Sequence, residues 1–200
     1  VRLADYLRHG SEPGRDPHPL FHAAYYASQL SNPTVGKQSL LVHYLAEGER
    51  QNLKPNPLFD PSDYAQKYEV SGLPILEHYA RYGRALEAAP SRFFDARWVA
   101  GQMPPSAKST MSPLEYYFRQ GGKLAKDPHP LFSGSWYLSE YPEAEHSTLD
   151  PLSHFMEIGA KKGFDPHPLF DSNRYRDLYS DFFDEELPPI FHYLEFGQAL

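Results

Sequence analysis

Asp5, His43, His78, Tyr116, His154 and His192 each stand five residues before a glycine. A row of imidazoles could hold a metal or a small ligand, because neutral histidine is a common ligand and titrates near neutrality. Packing geometry argues against a shared ion. Neighbouring helices lie about 8–10 Å apart, whereas a zinc ligand sits about 2 Å from its metal. The row is therefore expected to be half-buried polar groups hydrogen-bonded to the backbone of adjacent units. The functional alternative is a ligand or partner surface made of His43, His78, Tyr116, His154 and His192.

Three Asp-Pro-His triplets place Asp16, Asp127 and Asp165 beside His18, His129 and His167. An acid–histidine pair could serve in general acid–base chemistry. Here the same pair recurs with no nucleophile matched to it, whereas catalysis needs one asymmetric constellation. A structural loop is expected. Asp181, Asp184, Glu185 and Glu186 lack the alternating ligands and mid-loop glycine of a calcium loop, so they read as a solvated acidic segment. Trp98, Trp136 and Tyr25 could stack on sugar rings and join the candidate surface, although rings at helical spacing more often belong to a core. Phosphate-binding glycine loops, serine elbows and zinc-protease motifs do not occur. No catalytic residue, metal or cofactor is expected.

Composition narrows the classes further. The 200 residues carry 26 acidic against 19 basic side chains, a net charge of −7 that disfavours nucleic-acid binding. The absence of cysteine excludes disulfides and thiolate-held zinc. No run of 18 apolar residues and no signal-peptide pattern occur, so no transmembrane segment is expected. Aromatics at 15 % argue against disorder.

The elements that position these residues follow from a repeat. A Phe closes a Pro-rich run at Phe21, Phe59, Phe94, Phe132 and Phe170, spaced by 38, 35, 38 and 38 residues. A second series, Gly10, Gly48, Gly83, Gly121, Gly159 and Gly197, keeps step with it, 11 residues before each Phe. The chain reads as one domain of tandem units, 1–200. Units start near each Phe, a half unit occupies 1–20, and this phase predicts a segment of a longer polypeptide. After each Phe, Asp60, Asp95 and Asp171 can cap a helix; Ser133 can do so in the fourth unit, and Pro61 suits a first helical position. Tyr26, Tyr64, Val99, Tyr137 and Tyr175 follow five residues after the Phe, on one helical face with the residue four further on. A second helix ends at each Gly. Its apolar stripe contains Leu41, Leu76, Leu114, Leu152 and Ile190, then Tyr44, Tyr79, Tyr117, Phe155 and Tyr193. Ser112-Pro113-Leu114-Glu115 fits its capping box, and the Gly is expected to end it in a left-handed conformation. The Pro-rich run is expected as an extended return. One unit of about 38 residues cannot bury enough apolar surface alone. An all-α tandem helix-turn-helix array, solenoid-like in the manner of tetratricopeptide repeats, is therefore predicted, with a compact closed helical domain as the alternative because periodicity does not fix curvature.

Pro166-His167-Pro168-Leu169-Phe170-Asp171 with Tyr175 and Tyr179, and Asp150-Pro151-Leu152-Ser153-His154-Phe155 with Gly159, resemble a bacterial repeat family. Tyr141-Pro142-Glu143 and Gly14-Arg15-Asp16-Pro17-His18-Pro19-Leu20-Phe21 match further parts of its pattern. The third copy, Pro90-Ser91-Arg92-Phe93-Phe94, departs from it. Such repeats accompany glycosyltransferase and methyltransferase domains in surface-polysaccharide synthesis and also occur in large surface proteins. The resemblance implies a non-catalytic scaffold or docking module whose partner is an attached or separate glycosyltransferase domain, another protein, or a polysaccharide. It implies a cytoplasmic setting, at the inner face of the membrane through partners, or an extracellular one. A glycan-binding module with an aromatic-lined concave surface is the alternative.

Overall fold

The computed structural model describes residues 16–31, 39–121, 127–180 and 187–197. The half unit upstream of Asp16, with Asp5, and the acidic stretch Asp181, Asp184, Glu185 and Glu186 lie outside the described residues. The rest is helical, with no strand among the described residues, only isolated bridges inside Pro-rich turns.

The first helix of each unit follows its Phe: Ala23–Ser28, Pro61–Lys67, Ala96–Gln102, Gly134–Glu140 and Ser172–Leu178. Asp60, Asp95 and Asp171 accept the amides of Asp63, Trp98 and Arg174 at 3.1, 2.9 and 2.8 Å, as expected for caps. Ser133 differs. Its side chain makes no capping bond, and Asp127 of the preceding Pro-rich turn takes the Gly134 amide at 2.8 Å instead. Asp16 and Asp165 do the same for Ala23 and Ser172. In the second unit the first helical residue is Pro61, which has no amide to offer, and Lys54 replaces the aspartate. The Asp-Pro-His aspartates are thus capping groups.

The second helices begin at Leu40–His43, Ile75–Tyr82, Pro113–Tyr116, Pro151–His154 and Pro189–Glu195. Ser39, Ser112 and Asp150 cap three of them through the amides of Val42, Glu115 and Ser153. In the first, third and fourth units the helix continues through a π turn, Tyr44–Gly48, Tyr117–Gly121 and Phe155–Gly159. Short helices Pro105–Lys108 and Pro142–Glu145 fill two of the connections.

Two expectations are corrected. The repeat glycine is not left-handed: Gly83 has φ −55° and Gly159 φ −63°. The positive φ falls four residues later, at Asn52 (55°), Glu87 (43°) and Gly163 (74°). There the amides of Leu53, Ala88 and Phe164 reach back to Gly48, Gly83 and Gly159 at 2.9 Å, a Schellman closure. The helix therefore ends a turn beyond the Gly. The Pro-rich return is likewise a tight turn rather than an extended segment. Phe21, Phe132 and Phe170 bond back to His18, His129 and His167, whose Nδ1 atoms accept the amide two residues on. Alternate prolines block helix, and the histidine closes the turn locally.

Successive turns lie side by side. The amides of His22, Asp60, Asp95 and Ser133 donate to Pro55, Pro90, Pro128 and Pro166 at 2.9–3.0 Å, one backbone bond between each turn and the next. Phe21, Phe59, Phe94 and Phe132 are buried behind them against Tyr26, Tyr44, Tyr64, Tyr79, Tyr117 and Tyr137. Second helices are linked too. The Tyr117 hydroxyl donates to the capping Asp150 at 2.9 Å, and the Tyr79 hydroxyl is aimed at the capping Ser112 without ordinary hydrogen-bond geometry. Where Phe155 replaces this tyrosine, the following cap is Pro188, which offers no side-chain acceptor.

Contacts also join units three apart. Tyr25 of the first unit donates to Glu157 of the fourth at 2.9 Å. Arg92 ties Asp63 of the second unit to Glu195 of the fifth, at 3.0 and 2.8 Å. Phe93 packs on both Phe155 and Phe191.

Candidate functional site

The histidine row meets the tyrosine row within each unit. Tyr26 and His43, Tyr64 and His78, Tyr137 and His154, and Tyr175 and His192 bring hydroxyl and Nδ1 to 2.6, 3.0, 2.8 and 2.9 Å. The partner is thus a phenol of the same unit, not the backbone of a neighbour. The third unit exchanges both members together: Val99 stands for the tyrosine and Tyr116 for the histidine. Burial removes the row from any open surface. His78, Tyr116, His154 and His192 are buried, while His43 is half-buried with Nε2 near Glu47. Desolvation holds the His154 imidazole below its ordinary pKa and pushes the Tyr137 phenol up. Imidazole and phenol are both neutral, a pair suited to a dry helix–helix contact.

In the first, fourth and fifth units this pairing accounts for the repeat glycine, whereas a methyl on Gly83 would meet Tyr79 of its own helix. A methyl group on Gly48 or Gly159 would collide with the Tyr26 or Tyr137 hydroxyl, and on Gly197 it would come within 2.6 Å of the Tyr175 hydroxyl. At these three positions the Gly is a site of close approach that lets the tyrosine reach its histidine. Gly101, inside a first helix, has nothing within 4 Å of such a methyl. Gly101→Ala is therefore expected to stabilise the chain by about 0.4–1 kcal/mol, read as a raised urea midpoint.

Trp98 and Trp136 occupy one repeat position, four residues after Phe94 and Phe132. Trp98 is 45 % exposed, whereas Trp136 is half-buried with its ring 6.2 Å from Tyr141. The structure therefore keeps Trp98 as an open ring and sets it apart from the buried row.

Two grooves open elsewhere. One, of about 690 Å³, is lined by Asp63, Lys67, Tyr68, Arg92, Arg97 and His129 among others. The second, of about 590 Å³, separates the first unit from the fourth, with Tyr25 and His22 facing Leu138 and Asp150. The first mixes charges of opposite sign, and the second sets polar groups beside apolar walls. Among the described residues no cluster of three or more His, Asp or Glu side chains is placed to hold a metal. No helix of the described residues is long and apolar enough to cross a membrane.

His129 titrates in an informative window. Burial lowers its pKa to about 4, against an ordinary 6.5, with the Asp95 charge opposing the shift. Between these values the unfolded chain binds the extra proton, so stability falls as pH drops from 6.5 toward about 4. Asn56 holds the corresponding place in the second turn, accepting the Leu58 amide at 3.0 Å. His129→Asn keeps the acceptor and removes the proton site. A shallower loss of urea midpoint across that window is expected, and an unaltered slope would assign the titration to another group.

No family model matches the chain, and neither a curated protein nor a solved structure matches it.

Proposed function

We propose that the chain is a non-catalytic, tetratricopeptide-like solenoid array. In this reading it serves as a scaffold or docking module for a glycosyltransferase domain or another protein in bacterial surface-polysaccharide synthesis. One observation carries the non-catalytic half: the polar groups that recur in register are committed to packing. The four described repeat histidines bond to tyrosine hydroxyls, and the Asp-Pro-His aspartates bond to helix amides. Side-by-side turns and contacts between units three apart support a wound array, since each unit finds part of its apolar cover on another. The link to polysaccharide synthesis rests on the Pro-His-Pro-Leu-Phe-Asp and Pro-Leu-Ser-His-Phe strings and their resemblance to repeats found beside transferase domains.

The decisive experiment incubates the chain with sugar nucleotides and acceptor glycans. No turnover above buffer is expected, and turnover abolished by a single side-chain replacement would overturn the reading. Exposure of Trp98 favours a second reading, direct glycan recognition. Under it, a surface polysaccharide should change the tryptophan emission of the wild type, and Trp98→Ala should remove that change.

A further inference from the structure

We propose that the third Pro-rich turn is an ionic clasp that closes one coil of the array, with Arg92 holding the second unit to the fifth where two carboxylates would otherwise oppose each other. The inference does not depend on the polysaccharide reading, because it concerns how the units hold one another.

Units three apart meet in a fixed register. Tyr25 and Asp63 each stand four residues after the Phe of their unit, and Glu157 and Glu195 each stand two residues before the Gly of theirs. In the first of these meetings the Tyr25 hydroxyl donates directly to Glu157 at 2.9 Å. In the second, an aspartate takes the place of the tyrosine. A carboxylate only accepts, so Asp63 cannot make the bond to Glu195 that Tyr25 makes to Glu157, and like charges brought together repel. Arg92 resolves the conflict. Its Nε donates to Asp63 at 3.0 Å and a terminal nitrogen donates to Glu195 at 2.8 Å. A planar, permanently charged guanidinium can serve two carboxylates at once.

Arg92 stands where Pro19, Pro57, Pro130 and Pro168 stand in the other turns, and Phe93 stands where they carry leucine. Phe93 packs at 5.8 Å on Phe155 and at 5.5 Å on Phe191, in the fourth and fifth units. Two residues by which the third turn leaves the repeat pattern are therefore the ones that reach across the coil. The aspartate at 63 is matched by the arginine at 92.

The two contacts differ in what loosens them. Phe93 is 1 % exposed, and its ring contacts carry no charge for ions to screen. The Arg92 and Glu195 side chains are 51 % and 41 % exposed, so salt reaches the bridge. Between about 0.1 M and about 1 M salt the screening length falls from about 10 Å to about 3 Å. The coil therefore slackens on its ionic side as salt rises, while Phe93 keeps the register.

The test uses the full chain, which has no cysteine, carrying nitroxide labels on Ala65→Cys and Asp177→Cys. Both positions are exposed, one in the second unit and one in the fifth. Pulsed dipolar spectroscopy should read a separation that lengthens between about 0.1 M and about 1 M salt. Arg92→Gln should lengthen it already at low salt and abolish the salt response, with helical circular dichroism unchanged. Adding Asp63→Tyr to Arg92→Gln rebuilds the Tyr25–Glu157 arrangement, and should restore the short separation without the salt response. A wild-type separation indifferent to salt would overturn the proposal. So would an Arg92→Gln separation equal to that of the wild type, or a double variant as long as Arg92→Gln alone.

Discussion

Gly159→Ala is expected to lower stability by about 2–4 kcal/mol, although its backbone sits in the right-handed helical region where alanine is normally welcome. Elsewhere in a helix the same change would be neutral or favourable. Here the added methyl would collide with the Tyr137 hydroxyl, with a Phe164 ring carbon 3.2 Å away. Relief requires the phenol to withdraw. That breaks its 2.8 Å bond to His154 and leaves a buried imidazole nitrogen unsatisfied. Overpacking and an unmade buried hydrogen bond act together. Tyr137→Phe separates the two terms, since it deletes the colliding oxygen and should recover much of the loss when added to Gly159→Ala. The check is a double-mutant cycle in urea. Purely additive effects would show that the glycine serves some purpose other than admitting the phenol.

The close approach at Gly159 lies beyond what local sequence pattern specifies. Apolar stripes, capping aspartates and the Phe and Gly series were legible because helical period and capping are local, carried by residues within a turn of one another. The Tyr–His bond is not local. Tyr137 and His154 lie 17 residues apart on different helices, and register alone says that each recurs, not that they meet. A signal was nevertheless present. Only the third unit lacks the tyrosine, and that unit also lacks the histidine, in the pair Val99 and Tyr116. Lys54 with Pro61 and Phe155 with Pro188 are further exchanges of the same kind. In these last two, a lost donor or acceptor is matched by a partner that no longer needs it. The left-handed helix end is not legible in the sequence because Asn52 and Glu87 occupy it in two of the units where it is described. Composition at that register carries no constant glycine, whereas the Gly four residues earlier recurs in every unit.

Phe132→Ala should produce the largest loss of all, about 3–5 kcal/mol, as expected for truncating a fully buried aromatic ring. The ring is 0 % exposed and sits where three parts of the chain converge. It packs at 5.4 Å on Tyr137 of the first helix, at 5.8 Å on Phe155 of the second, and at 6.3 Å on Phe93 of the preceding turn. Phe93 in turn touches Phe191 of the fifth unit. The cavity therefore opens among residues of several units rather than inside one. If the units lend each other apolar cover, the weakened protein should still unfold in a single transition. Trp98 and Trp136, in adjacent units, should report the same urea midpoint as helical circular dichroism when each is kept as the only tryptophan. An early Trp136 transition that leaves the Trp98 signal and most of the helix intact would mean that the fourth unit stands or falls by itself. The contacts through Phe93 would then be incidental to the fold.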